Sequence, residues 1–186
     1  LHGTSEAAVM AEIEREAAAV KDPLAEPVIF VLEVGGSGSA KRPLQRLLTR
    51  LADEQFGLVL AAGNLGPAGG TLLLPVDEGR AAVVAAAGRD GALKNYSSRG
   101  PPDKAPFSWA DYVEDGAQAG TAVAARRSAV KLAGLTAALK AGKERLSNNW
   151  FLEILKTAQS SLKPMVGASQ GTPGILDDSS EPLGPL

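Results

Sequence analysis

Few residues in this chain have chemical reach. Its one histidine, His2, carries an imidazole that titrates near neutral pH and can pass a proton there; the alternative is a surface residue beside a terminus. Asn64 follows an apolar run and has Gly63 and Gly66 around it. It reads either as a turn asparagine tolerating left-handed backbone or as a side-chain N–H donor at the end of a strand. Gly120-Thr121-Ala122 opens the longest helical stretch. A group at position 122 would feel the positive end of the helix dipole, and its backbone N–H is not used by the helix. Alanine keeps that N–H and has no nucleophilic atom; the alternative is one more alanine in an Ala-rich helix. Ser128, about two turns further on, is expected to be buried or remote.

Those residues need elements to hold them. Residues 5–20 set small or apolar Ala7, Ala8, Ala11, Ala18 and Val20 against charged Glu6, Glu12, Glu14, Arg15 and Glu16, a helix with Thr4 or Ser5 as cap. Two prolines break residues 21–27. Residues 28–34 are apolar and β-prone apart from Glu33, as a strand covered on both faces is, and 35–39 is a glycine-serine turn. Leu44, Leu47, Leu48 and Leu51 give 41–55 a helical stripe, with Gly57 expected to stop it. A second short strand spans 58–62. Residues 72–74 and 81–87 are further apolar segments, the latter followed by a turn at 88–91. The longest helix is 122–140, and 149–159 is a shorter one with Trp150, Leu152, Ile154 and Leu155 as its apolar face. Alternating strand and helix predicts an α/β layered fold with a largely parallel sheet. In such sheets sites lie at the carboxyl ends of strands, where Asn64 and the turn after Glu33 both fall.

A chain of 186 residues predicts one domain with a real core, taken as residues 1–178 with 179–186 as a loose tail. Apolar residues make up 45% and the net charge is −2, so the chain is globular and offers nucleic acid no basic face. The absence of cysteine excludes disulfides and thiolate metal sites, and a single histidine excludes a multi-histidine zinc site. No cofactor or metal is expected. No apolar run reaches membrane-spanning length. The opening Leu1-His2 reads as a fragment or a processed product.

Gly120-Thr121-Ala122-Val123-Ala124 resembles the Gly-Thr-Ser-Met-Ala segment that carries the nucleophile of subtilisin-like serine proteases, with the serine hydroxyl removed. His2-Gly3-Thr4 is similar to the family's His-Gly-Thr, which places the general base. Ala61-Ala62-Gly63-Asn64 is similar to its Ala-Ala-Gly-Asn, whose asparagine donates to the oxyanion. Tyr96-Ser97-Ser98-Arg99-Gly100 resembles its Phe-Ser-Ser-x-Gly loop, and Gly171-Thr172-Pro173-Gly174-Ile175-Leu176-Asp177 its closing strand. Glu33-Val34-Gly35-Gly36 is similar to Ser-Leu-Gly-Gly, one wall of the primary specificity pocket, which sets Ala61, Ala62 and Gly63 on the opposite wall. The resemblance spans roughly residues 2 to 178. It implies a three-layer subtilisin-like fold with a mostly parallel central sheet flanked by helices. It further implies a serine endopeptidase site with His2 as base, Asn64 as oxyanion donor and Ala122 at the nucleophile position. The substrate would be an extended polypeptide added as a strand, with Thr121 and the pocket walls beside it. Glu33 is either an acidic determinant for a basic side chain or a structural acceptor, and the second is favoured.

Several residues depart from the family pattern. No aspartate matches the triad position, so a second chain or an upstream segment is expected to supply it. The stretch from Thr4 to Ile29 is shorter than the family uses. After Ala125 the chain has Arg126-Arg127-Ser128-Ala129-Val130 in place of Pro-His-Val-Ala-Gly. Ala122 reads as a deliberate serine-to-alanine change or as a natural pseudoprotease serving as a peptide-binding or scaffold module; joint retention of His2 and Asn64 favours the first. A remote alternative comes from Val31 to Gly38, which resembles the first motif of S-adenosylmethionine-dependent methyltransferases. That reading requires an acidic residue at the end of the next strand, where Ala61 to Asn64 stand.

Overall fold

The computed structural model describes residues 5–33, 41–66, 80–98, 108–114, 120–166 and 174–176. His2, Val34, Gly35, the 72–74 segment and the 179–186 tail lie outside the described residues. In chain order the elements are α1 (Glu6–Ala19), β1 (Ile29–Leu32), α2 (Lys41–Asp53), β2 (Gly57–Ala61), β3 (Ala82–Ala87), β4 (Trp109–Tyr112), α3 (Thr121–Lys140), α4 (Trp150–Ser160), β5 (Leu162–Lys163) and β6 (Ile175–Leu176). The strands form one sheet in the order β1-β2-β3-β4-β6-β5. All neighbours pair in parallel except β5, which runs antiparallel to β6.

Helices cover both faces, giving the three-layer subtilisin-like α/β architecture. On one face, Val59, Val84, Ala86 and Trp109 pack against Ala124, Ala125 and Leu132 of α3 and Trp150 and Ile154 of α4. On the other, Leu32, Leu58 and Leu60 meet Leu44, Leu47, Leu48 and Leu51 of α2 and Ile13 of α1. Successive β2 side chains thus enter different cores, and a strand sandwiched in this way must be apolar at every position. The expected leucine stripe of α2 is the buried one.

One detail differs from expectation. Gly57 does not end α2; it is the first residue of β2. The stop comes at Gln55, whose φ is 72°. Phe56 N donates to Leu51 O and Gln55 N to Ala52 O, the paired bonds of a left-handed Schellman terminus. Gly57 is needed for closeness instead, since a Cβ there would lie 2.8 Å from the Phe151 ring and 2.9 Å from Ile29. The strand order bears on the remote cofactor-binding alternative. Among the described strands it runs in sequence from β1 at one edge to β4 and reverses only at β6 and β5, so these strands put no switch-point crevice beside β1. A cofactor-binding reading of the Val31 to Gly38 segment needs that crevice.

Candidate active site

The candidate residues that the structure describes gather at the carboxyl ends of β1 and β2 and the amino end of α3. Gly63 and Gly66 take positive φ, 98° and 87°, whereas Asn64 does not. The glycines make the turn, and Asn64 is therefore not placed there for left-handed backbone. Its side chain has another task. Gly120, the N-cap of α3, offers no side-chain acceptor to the helix. Asn64 supplies one from across the fold: its Oδ1 accepts from Thr121 N at 2.9 Å and from Thr121 Oγ1 at 3.0 Å.

This bond pair fixes the amide. A backbone N–H can only donate, so Oδ1 must face Thr121 and the Nδ2 donors must face away. Thr121 Oγ1 in turn accepts from Gly63 N at 3.0 Å, tying helix, asparagine and turn in one ring of hydrogen bonds. Nδ2 lies over Gly120, 3.1 Å from where a Cβ would sit. An N-cap side chain on that residue would crowd the amide.

The turn is braced from behind by the Tyr96-Ser97-Ser98 loop. Ser98 N donates to Gly63 O at 2.9 Å, Gly66 N to Tyr96 O at 2.8 Å, and Leu65 N to Ser98 Oγ at 3.2 Å. Ser97 Oγ accepts from Ala86 N on β3. Ala62 and Gly63 are buried, Ala61 and Ala122 half-buried and Asn64 exposed. Asn64 thus offers its donors to solvent from a rigid mount. Ala122 N is within the first turn of α3, where backbone donors have no carbonyl of the helix to meet, and none of the described hydrogen bonds uses it. The two donors stand at the positive end of a helix of 20 residues, an arrangement suited to negative charge.

Glu33, directly after β1, is bound by Arg126 of α3, with Arg126 Nη2 to Glu33 Oε2 at 2.7 Å and Arg126 Nε on Oε1. The contact raises the Arg126 guanidinium above its ordinary value through the hydrogen bond and charge of Glu33. The ion pair links the residue after β1 to α3.

Sequence reasoning missed β4 and the buried carboxylate it carries. Asp111 is fully buried. It accepts from Ser128 Oγ at 2.8 Å, from Lys131 Nζ at 2.9 and 3.0 Å and from Tyr112 N at 2.8 Å. Trp109 Nε1 donates to Ser128 Oγ, and Lys131 Nζ also to Leu176 O, both at 2.8 Å. Burial pushes the Asp111 carboxyl above its usual range, with Lys131 and the hydrogen bonds opposing. This is not a misplaced triad aspartate. Ser128 lies about 9 Å along α3 from Ala122 at 1.5 Å per residue, and Asp111 is occupied by donors that lock β4 to α3. The available signal was Ser128 and Lys131 at a three-residue spacing on a helix whose other buried positions are small or apolar. Ser128 itself is buried, so it is out of reach of a substrate. Among the described residues there is no cluster of three or more potential metal ligands, and no helix is long and apolar enough to cross a membrane.

No protein-family model matches this chain, and no curated protein does. Solved structures do match it. Sphericase is 21% identical with a TM-score of 0.66, over 92% of this chain and 63% of that one. A structure described as S41 psychrophilic protease is 21% identical with a TM-score of 0.68, over 95% and 65% respectively. A protease from Pseudoalteromonas arctica PAMC 21717 is 22% identical with a TM-score of 0.54, over 80% and 48%. The chain therefore has the fold of these proteases and spans about half to two thirds of their length.

Proposed function

We propose that this chain is a serine endopeptidase scaffold of the subtilisin-like type, inactive as it stands because Ala122 occupies the nucleophile position. The observation that carries the reading is the pair of donors at the start of α3. Asn64 Nδ2 is turned outward by Thr121, and the Ala122 N–H is left over by the helix. Acyl transfer needs such donors where the carbonyl oxygen becomes negative. A hydroxyl on residue 122 would start beside them, and the helix dipole would favour the charge that develops.

In this reading His2 takes the proton of that hydroxyl and returns it to the leaving amine. An aspartate from a second chain or an upstream segment orients the imidazole. The substrate is an extended polypeptide whose backbone adds beside Glu33, Val34 and Gly35, with Ala61, Ala62 and Gly63 as the facing wall and Thr121 at its floor. Glu33 is paired with Arg126, which supports its reading as a structural acceptor over one as a determinant for basic side chains. The protease-like fold of the structural neighbours supports the same class of chemistry.

The test is labelling by a fluorophosphonate probe, comparing the chain with Ala122→Ser and with Ala122→Ser/His2→Ala, each carrying whatever sequence precedes Leu1. Labelling in the serine form alone, lost with His2, is the expected result. A folded Ala122→Ser form that takes up no probe refutes the proposal.

A further inference from the structure

One buried residue holds both chain neighbours of Asn64. Ser98 N donates to Gly63 O at 2.9 Å, and Ser98 Oγ accepts from Leu65 N at 3.2 Å. Ser98 is fully buried, whereas Asn64 is exposed. The clamp therefore lies inside the protein, and the group it frames faces solvent.

The turn does not supply this rigidity by itself. Gly63 and Gly66 both take positive φ, and glycine is the residue least restricted to any one backbone conformation. The bonds from Thr121 to Oδ1 fix one end of the Asn64 amide only. A carboxamide held at its oxygen can still pivot about that atom, and Nδ2 then swings as the Cβ end moves. The Cβ end is set by the main chain at residues 63–65. There the Gly63 N–H is taken by Thr121 Oγ1, while the Gly63 carbonyl and the Leu65 N–H are both taken by Ser98. Ser98 has a firm base for this. The preceding Ser97 is also buried; its Oγ accepts from Ala86 N of β3 at 3.1 Å, and its N–H goes to Lys94 O at 3.0 Å.

We infer that Ser98 is a positioning residue, which aims the Nδ2 donor of Asn64 at the oxygen that becomes negative in acyl transfer. That aim rests on the protease reading of the site; the clamp on the Asn64 amide does not. Buried behind the turn, Ser98 meets no substrate and acts only through Asn64. Donors to an oxyanion work by being fixed before the charge develops, and a small misplacement of such a group is enough to cost rate.

The test combines labelling rates with the order of the Asn64 amide. In the Ala122→Ser form, Ser98→Ala should slow fluorophosphonate labelling by about tenfold, less than the ~10²–10³ lost with a whole oxyanion donor. Added to Asn64→Ala, the same change should slow labelling no further, within about twofold. Gly57→Ala, at the opposite end of β2 from the site, should leave the rate as it was, which separates aim from lost stability. In the chain with Ala122, Nδ2 lies over Gly120, so an NOE from the Asn64 side-chain amide to Gly120 Hα reports the aim with no chemistry required. Ser98→Ala should weaken that NOE and lower the order parameter of Nδ2. Ser98→Cys, with a weaker acceptor in nearly the same volume, serves if the alanine form does not fold. No slowing by Ser98→Ala, equal slowing with and without Asn64, or equal slowing by Gly57→Ala overturns the inference. So does an Asn64 amide as ordered in the variant as in the parent. If no serine form takes up the probe, the protease reading falls and takes the oxyanion role of Ser98 with it; the NOE and the order parameter then decide the clamp.

Discussion

Removing the ammonium of Lys131 should be costly far beyond what its partial exposure suggests. Lys131 is 20% exposed, and Asp111 has no exposed side-chain surface. In Lys131→Met the carboxylate keeps Ser128 Oγ and Tyr112 N, while Arg127 Nε stands 3.6 Å away. Leu176 O loses a donor as well. Breaking one partner from a buried pair costs ~3–5 kcal/mol, and the nearby guanidinium puts this case at the lower end, about 3 kcal/mol. For a chain of this size that is roughly 6–12 °C in Tm. The assay is urea unfolding followed by tryptophan fluorescence, since Trp109 donates into the network. Asp111→Asn/Lys131→Met removes both charges and should recover more than half of the loss, a coupling of about 2 kcal/mol. The pH dependence has a definite sign. Burial already raises the Asp111 carboxyl, and loss of Lys131 raises it further. The folded state then holds a proton that the unfolded chain releases near pH 4, so the associated stability is present below that pH and is lost as pH rises through the folded value. Lys131→Met should therefore approach the parent near pH 4 and fall furthest behind at neutral pH. A loss under about 1 kcal/mol, additivity in the double mutant, or a gap independent of pH would each refute the reasoning.

Thr121→Val should cost ~1–3 kcal/mol, because the buried Gly63 N–H loses its acceptor, and in an Ala122→Ser background it should slow fluorophosphonate labelling more than Thr121→Ser does. Equal labelling by the two variants would mean that the Thr121 hydroxyl does not aim Asn64. Gly57→Ala should destabilise by about 1–3 kcal/mol through overpacking against Phe151 and Ile29, measured by thermal unfolding; an unchanged Tm would contradict the packing account.

The layered fold was legible because the signals were local and repeated. The leucines of α2 and the unbroken apolar runs of β1 and β2 each state a period, and no long-range information is needed to read them. β4 was not legible. Its Trp109-Ala110-Asp111-Tyr112 places a carboxylate in the middle of an apolar layer, and a strand with a charge inside reads as a turn until its partners on α3 are known. The end of α2 misled for a related reason. Glycine is the usual left-handed residue, so Gly57 drew the stop that Gln55 makes, while the true demand on Gly57 comes from α4, far away in sequence. At the candidate site the turn glycines could be read locally. The bond between Asn64 and Thr121 could not, since 57 positions separate the two residues.

Asn64 caps α3, and this gives it a reason to persist that is independent of turnover. A lineage that no longer cleaved anything would still be selected against losing Asn64 or Thr121, since the longest helix would lose its first hydrogen bond and the turn after β2 its anchor. The Asn64–Thr121 mount at the start of α3 is thus maintained by folding itself. Alanine and serine codons can differ by a single base, so position 122 stands one substitution from a hydroxyl on a mount that folding alone keeps in repair.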